Sequence, residues 1–308
     1  MKRRSGSLVA FILILSMMLS VAACSSNGES TANTCKTPKI NNVTVSYLGP
    51  RGTYTQEACE KFFGEGAKLN PCETVPDAVS ALAAGDCEYA VIPVENTIGG
   101  AVTDYVDTLI SSKGVSVVGE VELPINQNLL VVPGTTLSEI TTVYSHKQGI
   151  AQGKEWLAAN LPGAEVIEVS STAEGARMVS EGKDKHCAAI ASAGCADVYG
   201  LEILAPAIQN SDKNVTRFYV LSNSAPDEYG TARTALIAEG KASDLAGLIS
   251  DLNDKKITLI AVHDRPLKTE LGEYSYLIEC SYIKPDVYAQ ISTSGWLNYR
   301  YLGSFDVK

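Results

Sequence analysis

From residue 43 onward the chain alternates short β-rich runs with segments of helical spacing. The first run, Val43 to Leu48, passes through the turn Gly49 to Thr53 into a helical segment that ends near Phe63. Parallel neighbouring strands need a crossover connection, usually a helix, so this alternation predicts parallel sheets covered by helices. An apolar fraction of 45% over 308 residues can supply two globular domains. The chain is therefore expected to be an α/β protein.

The charge balance argues against nucleic-acid binding. The 35 acidic and 25 basic side chains give a formal net charge of −10, whereas a protein that binds the phosphate backbone needs a positive face. His146, His186 and His263 are far apart in sequence and no Cys-x-x-Cys occurs, so no metal site is predicted. The sequence also has no P-loop and no Gly-x-Gly-x-x-Gly motif.

The N-terminal segment has the pattern of a lipoprotein signal peptide. Lys2, Arg3 and Arg4 precede an apolar run from residue 8 to 18, which is too short to cross a bilayer, and small residues then lead to Cys24. We interpret residues 1–23 as the signal peptide, Cys24 as the lipidated residue and residues 24–41 as a flexible tether. A short buried helix is the alternative. Cleavage would leave 22 basic and 35 acidic side chains, a net charge of −13, on an extracytoplasmic protein with a lipid anchor in the membrane.

The remaining cysteines do not indicate a disulfide scaffold. Seven follow Cys24, and an odd number requires at least one unpaired thiol or an intermolecular bridge. Bridges are possible in an oxidising compartment, and the spacing leaves their connectivity open.

Four strand-to-helix junctions share one chemistry. Each places Ser, Thr or Asn where a helix begins, at positions 49–53, 94–100, 145–148 and 170–172. A helix N-terminus offers unpaired backbone amides and the positive end of the helix dipole, and in parallel sheets such ends gather at one edge. For any single junction an ordinary N-cap is the favoured interpretation. Together they predict a cleft that binds a small carboxylate, aided by cations such as Arg51, Lys147 or Arg217.

A second region is expected to begin near Thr231, after the loop Asn223 to Gly230. Its pattern is strand, helix, strand, strand, weak helix, strand, which is the split βαβ arrangement. Such a sheet is covered by helices on one face only. The region is therefore expected to pair with a second copy, and we predict a homodimer or a higher homo-oligomer.

Six short motifs, in this order, resemble the prephenate dehydratase family along nearly the whole mature chain. They are Tyr47–Thr55, Val91–Thr97, Ser145–Gln152, Ser171–Glu174, Ala188–Ser192 with Tyr199–Leu201, and Asn214–Phe218. The resemblance implies a two-lobed catalytic domain at 42–225, similar to periplasmic binding proteins, and an α+β ferredoxin-like ACT regulatory domain at 231–308. It also implies conversion of prephenate, a dicarboxylate, to phenylpyruvate, water and carbon dioxide without metal or organic cofactor.

The resemblance also assigns roles to residues. Thr216 matches the family's proposed catalytic residue and would donate a hydrogen bond to the departing hydroxyl. Asn96 is carried over as a second donor. Glu95 would be either a proton source or, as we favour, a group that orients Asn96 and Arg217. The candidate substrate-binding residues are Thr53, Thr97, Ser171, Thr172, Arg217 and Phe218, although Arg217 could instead pair with an acid and Phe218 could lie in the core.

Some positions depart from the family pattern. Lys147 replaces the usual proline, and His263-Asp264 replaces Glu-Ser in the family's Glu-Ser-Arg-Pro stretch, whereas Arg265 and Pro266 are retained as candidate regulatory residues. Phenylalanine is therefore a candidate effector whose site is altered. The alternatives are a solute-binding lipoprotein for an aromatic or dicarboxylate compound, and an arogenate dehydratase. The Thr216-Arg217-Phe218 motif and the ACT-like region favour the enzyme.

Overall fold

The computed structural model describes residues 35–308, without the side chains of Ala101 and Thr103, and its strands form three sheets. The predicted signal peptide, Cys24 and the first part of the tether lie outside the described residues. The strands are β1 Thr44–Leu48, β2 Lys68–Cys72, β3 Tyr89–Asn96, β4 Gly100–Ala101, β5 Ser116–Pro124, β6 Asn128–Val131, β7 Thr142–Ser145, β8 Glu165–Glu168, β9 Cys187–Ala191, β10 Glu202–Ala205, β11 Val215–Ser222, β12 Glu228–Tyr229, β13 Arg233–Lys241, β14 Leu259–Pro266, β15 Glu273–Ser281 and β16 Asn298–Phe305. The α-helices are α1 Tyr54–Phe63, α2 Val75–Ala84, α3 Thr103–Ser111, α4 Lys147–Asn160, α5 Thr172–Gly182, α6 Ala193–Tyr199, α7 Ala242–Asp254 and α8 Pro285–Ser292.

The first lobe is built on a mixed sheet in the order β2-β1-β3-β11-β5, with β4 on β3. β1 is parallel to β2 and β3, as the alternation predicts, whereas β11 returns from the second lobe and runs antiparallel to β3 and β5. Phe62 and Phe63 of α1 pack in the core on one face of this sheet. α2 and α3 pack on the other face, where Tyr105 and Tyr219 are fully buried.

The second lobe has a sheet in the order β10-β6-β9-β7-β8, covered by α4, α5 and α6. The chain passes from the first lobe to the second between β5 and β6 and returns between β10 and β11. Two such crossings give the two-lobed α/β architecture expected from the sequence.

The C-terminal region has the predicted order β13-α7-β14-β15-α8-β16, and these strands form an antiparallel sheet with the short β12 at one edge. α7 and α8 cover one face over a core that includes Leu248 and Ile291. The other face packs on the first lobe, because Leu277 and Phe305 belong to the same apolar cluster as Tyr219. Among residues 35–308, no helix is both long and apolar enough to cross a membrane.

Candidate active site

A cleft with a cavity volume of about 240 Å³ lies between the two lobes. The first lobe contributes the ends of β1 and β3, the start of α1 and residues of β11. The second lobe contributes the first turns of α4 and α5, and Ile125 and Gln127 line the cleft from the crossing between β5 and β6. Residues from all four predicted strand-to-helix junctions thus line the cleft.

Three helices begin at this cleft, and each has a side-chain N-cap. Thr53 accepts a hydrogen bond from the amide of Gln56 at the start of α1, and Ser171 accepts one from Glu174 at the start of α5, at 3.4 and 3.0 Å. His146 caps α4 through its Nδ1 atom. The caps satisfy part of each first turn, and the remaining first-turn amides have no partner within their own helix. The positive ends of three helix dipoles therefore converge on one cavity, which suits a ligand with carboxylate groups.

The groups of the cleft that suit an anion are these amides rather than side-chain cations. No lysine or arginine of the described residues lines the cavity. Arg51 and Lys147 are exposed, and Arg217 is only 11% exposed and bound to carboxylates. The cations that the sequence suggested as aids to carboxylate binding thus lie outside the cavity lining.

Asn96 and Thr216 face each other on adjacent strands at the cleft wall, where their Cα atoms are paired between β3 and β11. The Asn96 Oδ1 atom accepts hydrogen bonds from the amides of Ile98 and Gly99, at 3.0 and 2.8 Å. These two donors fix the orientation of the Asn96 amide, so its Nδ2 atom donates to the Thr216 Oγ1 atom at 2.8 Å. Thr216 accepts this bond and keeps its own hydroxyl hydrogen for another acceptor.

Arg217 points away from the cleft, because successive side chains of a strand alternate between its faces. Its guanidinium donates to Glu95 at 2.7 Å, to both oxygens of Glu120 at 2.6 and 3.1 Å, and to Glu279. Burial alone would lower the pKa of Arg217, but the hydrogen bonds to Glu120 and the charges of Glu279 and Glu120 raise it above its ordinary value. Arg217 is therefore always charged and largely saturated with protein carboxylates.

The structure brings six of the predicted site residues to the cavity and places the others elsewhere. Those at the cavity are Thr53, Asn96, Ser171, Thr172, Thr216 and Phe218. Glu95 and Arg217 form the ion pair behind the cleft wall. Thr97 holds the end of β3 to the segment before β11, donating to the Lys213 carbonyl at 2.9 Å and accepting from the Val215 amide at 3.0 Å.

The candidate regulatory residues lie on β14 of the C-terminal sheet. Arg265 donates to Asp107 of α3 and to the Asp264 carbonyl, so it joins the C-terminal sheet to the first lobe. Pro266 ends β14 and is exposed.

Two buried glutamines in the cleft, Gln127 and Gln152, were not expected from the sequence. Gln127 donates through Nε2 to the Gln152 Oε1 atom at 2.8 Å, and the Oε1 atom of Gln127 is buried without a partner in the described part of the chain. This oxygen can accept a hydrogen bond from a ligand. Gln148 and Gln152 are four residues apart on α4, a spacing that puts both on one helix face. That spacing was the available signal for Gln152, whereas Gln127 lies in a crossing segment without a motif.

The loop at 49–53 is held against the second lobe by three donors. The Ser192 hydroxyl and the Cys195 thiol both donate to the Gly52 carbonyl, at 2.7 and 3.0 Å, and the Tyr199 hydroxyl donates to the Arg51 carbonyl at 2.9 Å. Gly52 has φ +84°, and a Cβ atom there would lie 2.9 Å from the Cys195 sulfur. Glycine is thus required where this loop crosses α6 and leads to Thr53.

The fold and the cleft define a two-lobed α/β protein that has a cleft lined by helix N-termini between its lobes and a C-terminal βαββαβ region. Residues 45–226 match the family described as prephenate dehydratase. A bifunctional chorismate mutase/prephenate dehydratase of Neisseria gonorrhoeae is 37% identical over 254 residues, covering 82% of this chain and 69% of that protein. The chain belongs to the prephenate dehydratase family.

Two further comparisons agree with this membership. The prephenate dehydratase of Bacillus subtilis is 32% identical over 259 residues, which cover 79% of this chain and 90% of that protein. The crystal structure of a prephenate dehydratase in complex with L-Phe from Arthrobacter aurescens has a TM-score of 0.76 and 29% identity, covering 86% of this chain and 90% of that one. The likeness therefore includes the C-terminal sheet as well as the two lobes.

Proposed function

We propose that this chain converts prephenate to phenylpyruvate, water and carbon dioxide, with Thr216 as the donor to the departing hydroxyl. Family membership and a cleft lined by helix N-termini, without lysine or arginine among its described lining residues, support the reaction. The observation that carries the role of Thr216 is its bond with Asn96, which occupies the hydroxyl oxygen as an acceptor and leaves its hydrogen for the substrate.

The reaction needs only a small catalytic contribution from the protein. The bond between the ring and its carboxylate carbon breaks, and its electron pair enters the ring as carbon dioxide leaves. At the opposite ring carbon the C–O bond breaks, and the hydroxyl, which accepts a hydrogen bond from Thr216, takes up one proton from solvent and leaves as water. Aromatisation supplies the driving force, so orientation and hydrogen bonding at the leaving oxygen account for the protein's contribution.

The absence of lysine and arginine from the described cleft lining agrees with this reaction. The ring carboxylate loses its charge as it becomes carbon dioxide, so a strong cation beside it would stabilise the substrate more than the transition state. The pyruvyl carboxylate keeps its charge throughout. Helix N-termini can bind the pyruvyl carboxylate, because the partial positive charges of their backbone amides stabilise an anion.

We also propose that residues 231–308 form an ACT-like regulatory domain, that phenylalanine is its effector, and that the chain assembles as a homodimer. The βαββαβ order, the retained Arg265 and Pro266, and the L-Phe complex of the Arthrobacter relative support the effector. His263 and Asp264 depart from the family pattern, so a weaker response to phenylalanine is expected.

For location, we propose an extracytoplasmic lipoprotein anchored through Cys24. The support is the sequence of residues 1–24, with three cations, a short apolar run and small residues before the cysteine. Labelling of the expressed chain with a radioactive fatty acid tests this proposal. Incorporation that is lost in Cys24→Ser supports it, whereas equal incorporation in both chains contradicts it.

Turnover of prephenate by the purified chain at neutral pH tests the function. Phenylpyruvate is followed by its absorbance in alkali, and carbon dioxide release is measured in parallel. Equal amounts of both products support the proposal. Saturable prephenate binding without product would favour a solute-binding lipoprotein, and turnover confined to arogenate would indicate the amino analogue as substrate.

A further inference from the structure

Three carboxylates from different strands surround the guanidinium of Arg217 behind the cleft wall. Glu95 is on β3, Glu120 on β5 and Glu279 on β15 of the C-terminal sheet. The side chains of Glu120 and Glu279 are fully buried. A second cation, Arg233 of β13, also pairs with Glu120. Residues of the C-terminal sheet thus complete an ion-pair network centred on the strand that carries Thr216.

Two neighbouring residue pairs join β3 and β11, one pair on each face of the sheet. On the cleft face, Asn96 donates to Thr216, and one residue along on the same strands Glu95 pairs with Arg217. The ladder between β3 and β11 skips one residue of β3, Val94, between the pairs Arg217–Glu95 and Phe218–Pro93, whereas β11 stays in continuous register with β5 over residues 216–218. Because the bulge is in β3, this ladder alone does not fix the path of β3, and the ion pair of Arg217 with Glu95 helps to hold β3 where Asn96 meets Thr216.

Arg217 is the one side chain of the described residues that donates a hydrogen bond to the Glu279 carboxylate. Its Oε2 atom accepts from Arg217, and its Oε1 atom is buried without a hydrogen-bond partner among the described residues. Burying a carboxylate with half of its acceptor capacity unused is costly, and an apolar side chain of similar volume would serve packing better. A role in positioning Arg217 would explain why a charged side chain, rather than an apolar one, is buried at position 279.

We propose that Glu279, although it belongs to the C-terminal sheet, is a positioning residue for the reaction, acting on Thr216 through Arg217. This inference rests on the proposed function, because it places the donor to the departing hydroxyl under the control of a side chain outside the two lobes. The helix ends that hold the substrate carboxylates are on other elements. Loss of Glu279 therefore lowers kcat and leaves KM nearly unchanged.

The test compares the full chain with Glu279→Gln, Glu279→Asp and a control, Asp107→Asn. The control breaks a different ion pair between the C-terminal sheet and the first lobe, that of Asp107 with Arg265, which does not involve β11. We expect kcat to fall about ten-fold in Glu279→Gln and less in Glu279→Asp, with KM changed less than about two-fold, and kcat to change less than about two-fold in Asp107→Asn. An equal change in Glu279→Gln and Asp107→Asn would overturn the inference.

A double-mutant cycle tests the route through Arg217. In an Arg217→Met background, Glu279→Gln is expected to cause no further loss of kcat, because its partner is already absent. Independent, multiplying losses would contradict the route.

A readout without turnover separates this inference from the proposed function. The Thr216 methyl resonance, assigned by its loss in Thr216→Ser, is expected to shift in Glu279→Gln and to stay in place in Asp107→Asn. If the unaltered chain does not turn over prephenate, the proposed function fails, and the methyl shift still decides this inference. An unmoved resonance in Glu279→Gln would overturn it.

Discussion

The Nδ2 atom of Asn96 lies 2.8 Å from the Oγ1 atom of Thr216, and the Cα atoms of the two residues are paired between β3 and β11. The direction of this bond follows from the two backbone amides that occupy the other end of the Asn96 side chain. A threonine hydroxyl is a weak acid, so Thr216 is expected to assist by directing a hydrogen bond at the leaving oxygen rather than by transferring its proton.

Asn96→Asp tests the direction of that bond. A carboxylate at this position accepts the Thr216 hydroxyl hydrogen, which then no longer points to the substrate, and its charge also opposes a dianionic ligand. We expect kcat to fall by about 10² and KM to rise. Steady-state kinetics of phenylpyruvate formation check this, and a variant with unchanged kcat would contradict the assigned direction.

Arg217→Met tests the stability of the ion-pair network. It leaves two fully buried carboxylates, Glu120 and Glu279, without Arg217, and removing one partner of a buried pair costs about 3 to 5 kcal/mol. The matched control is Arg177→Met, because Arg177 is 41% exposed and its pairs on α5 are worth about 1 kcal/mol or less. Urea unfolding measures both, and equal losses would show that the Arg217 network is no stronger than a surface pair.

Ser171→Ala and Thr74→Ala separate helix capping from ligand binding. Both residues cap a helix through the side chain, Ser171 on α5 at the cleft and Thr74 on α2 outside it. Each substitution is expected to cost about 1 kcal/mol of unfolding free energy. Only Ser171→Ala should raise KM, by about several-fold, because only that helix end faces the substrate. A similar KM in both variants would remove α5 from the binding site.

Thiol labelling tests the packing of the cysteines. All seven cysteines of the described residues are unpaired, and four of them are buried: Cys59, Cys87, Cys195 and Cys280. Burial raises the pKa of Cys195 to about 11 and that of Cys280 to about 12, so both are protonated and shielded at neutral pH. Burial also raises the pKa of Cys72 and of Cys187, although both are partly exposed. Mass spectrometry after brief treatment with iodoacetamide at pH 7 should therefore find most label on Cys35, less on Cys72 and Cys187, and none on the four buried cysteines. Rapid labelling of Cys195 would contradict the packing of α6 against the 49–53 loop.

Much of the fold could be predicted from local sequence patterns. The strand-to-helix alternation predicted the parallel pairs of β1 with β2 and β3, and the capping residues predicted where α1, α4 and α5 begin. These features depend on near neighbours in the chain, which a single sequence displays. The order of the C-terminal elements was visible for the same reason.

Two of the three carboxylate partners of Arg217 could not be predicted from such patterns. Glu120 lies 97 residues before it and Glu279 lies 62 residues after it, and strand pairing across two sheets brings them together. From the sequence, Arg217 was expected either to bind substrate or to pair with an acid, and Glu95 was expected to orient it, but neither Glu120 nor Glu279 was among the expected partners. Gln127 was missed because a crossing segment has no periodicity that marks which side chains face a cleft.

A series of substitutions at Thr216 measures the central claim most directly. Thr216→Ser keeps the hydroxyl, Thr216→Val keeps the shape, and Thr216→Ala removes both. With prephenate at neutral pH, we expect the serine variant to retain most of the turnover, and the valine and alanine variants to lose about 10² to 10³ in kcat with little change in KM. Near-normal kcat in the valine variant would show that the Thr216 hydroxyl does not assist the departing group.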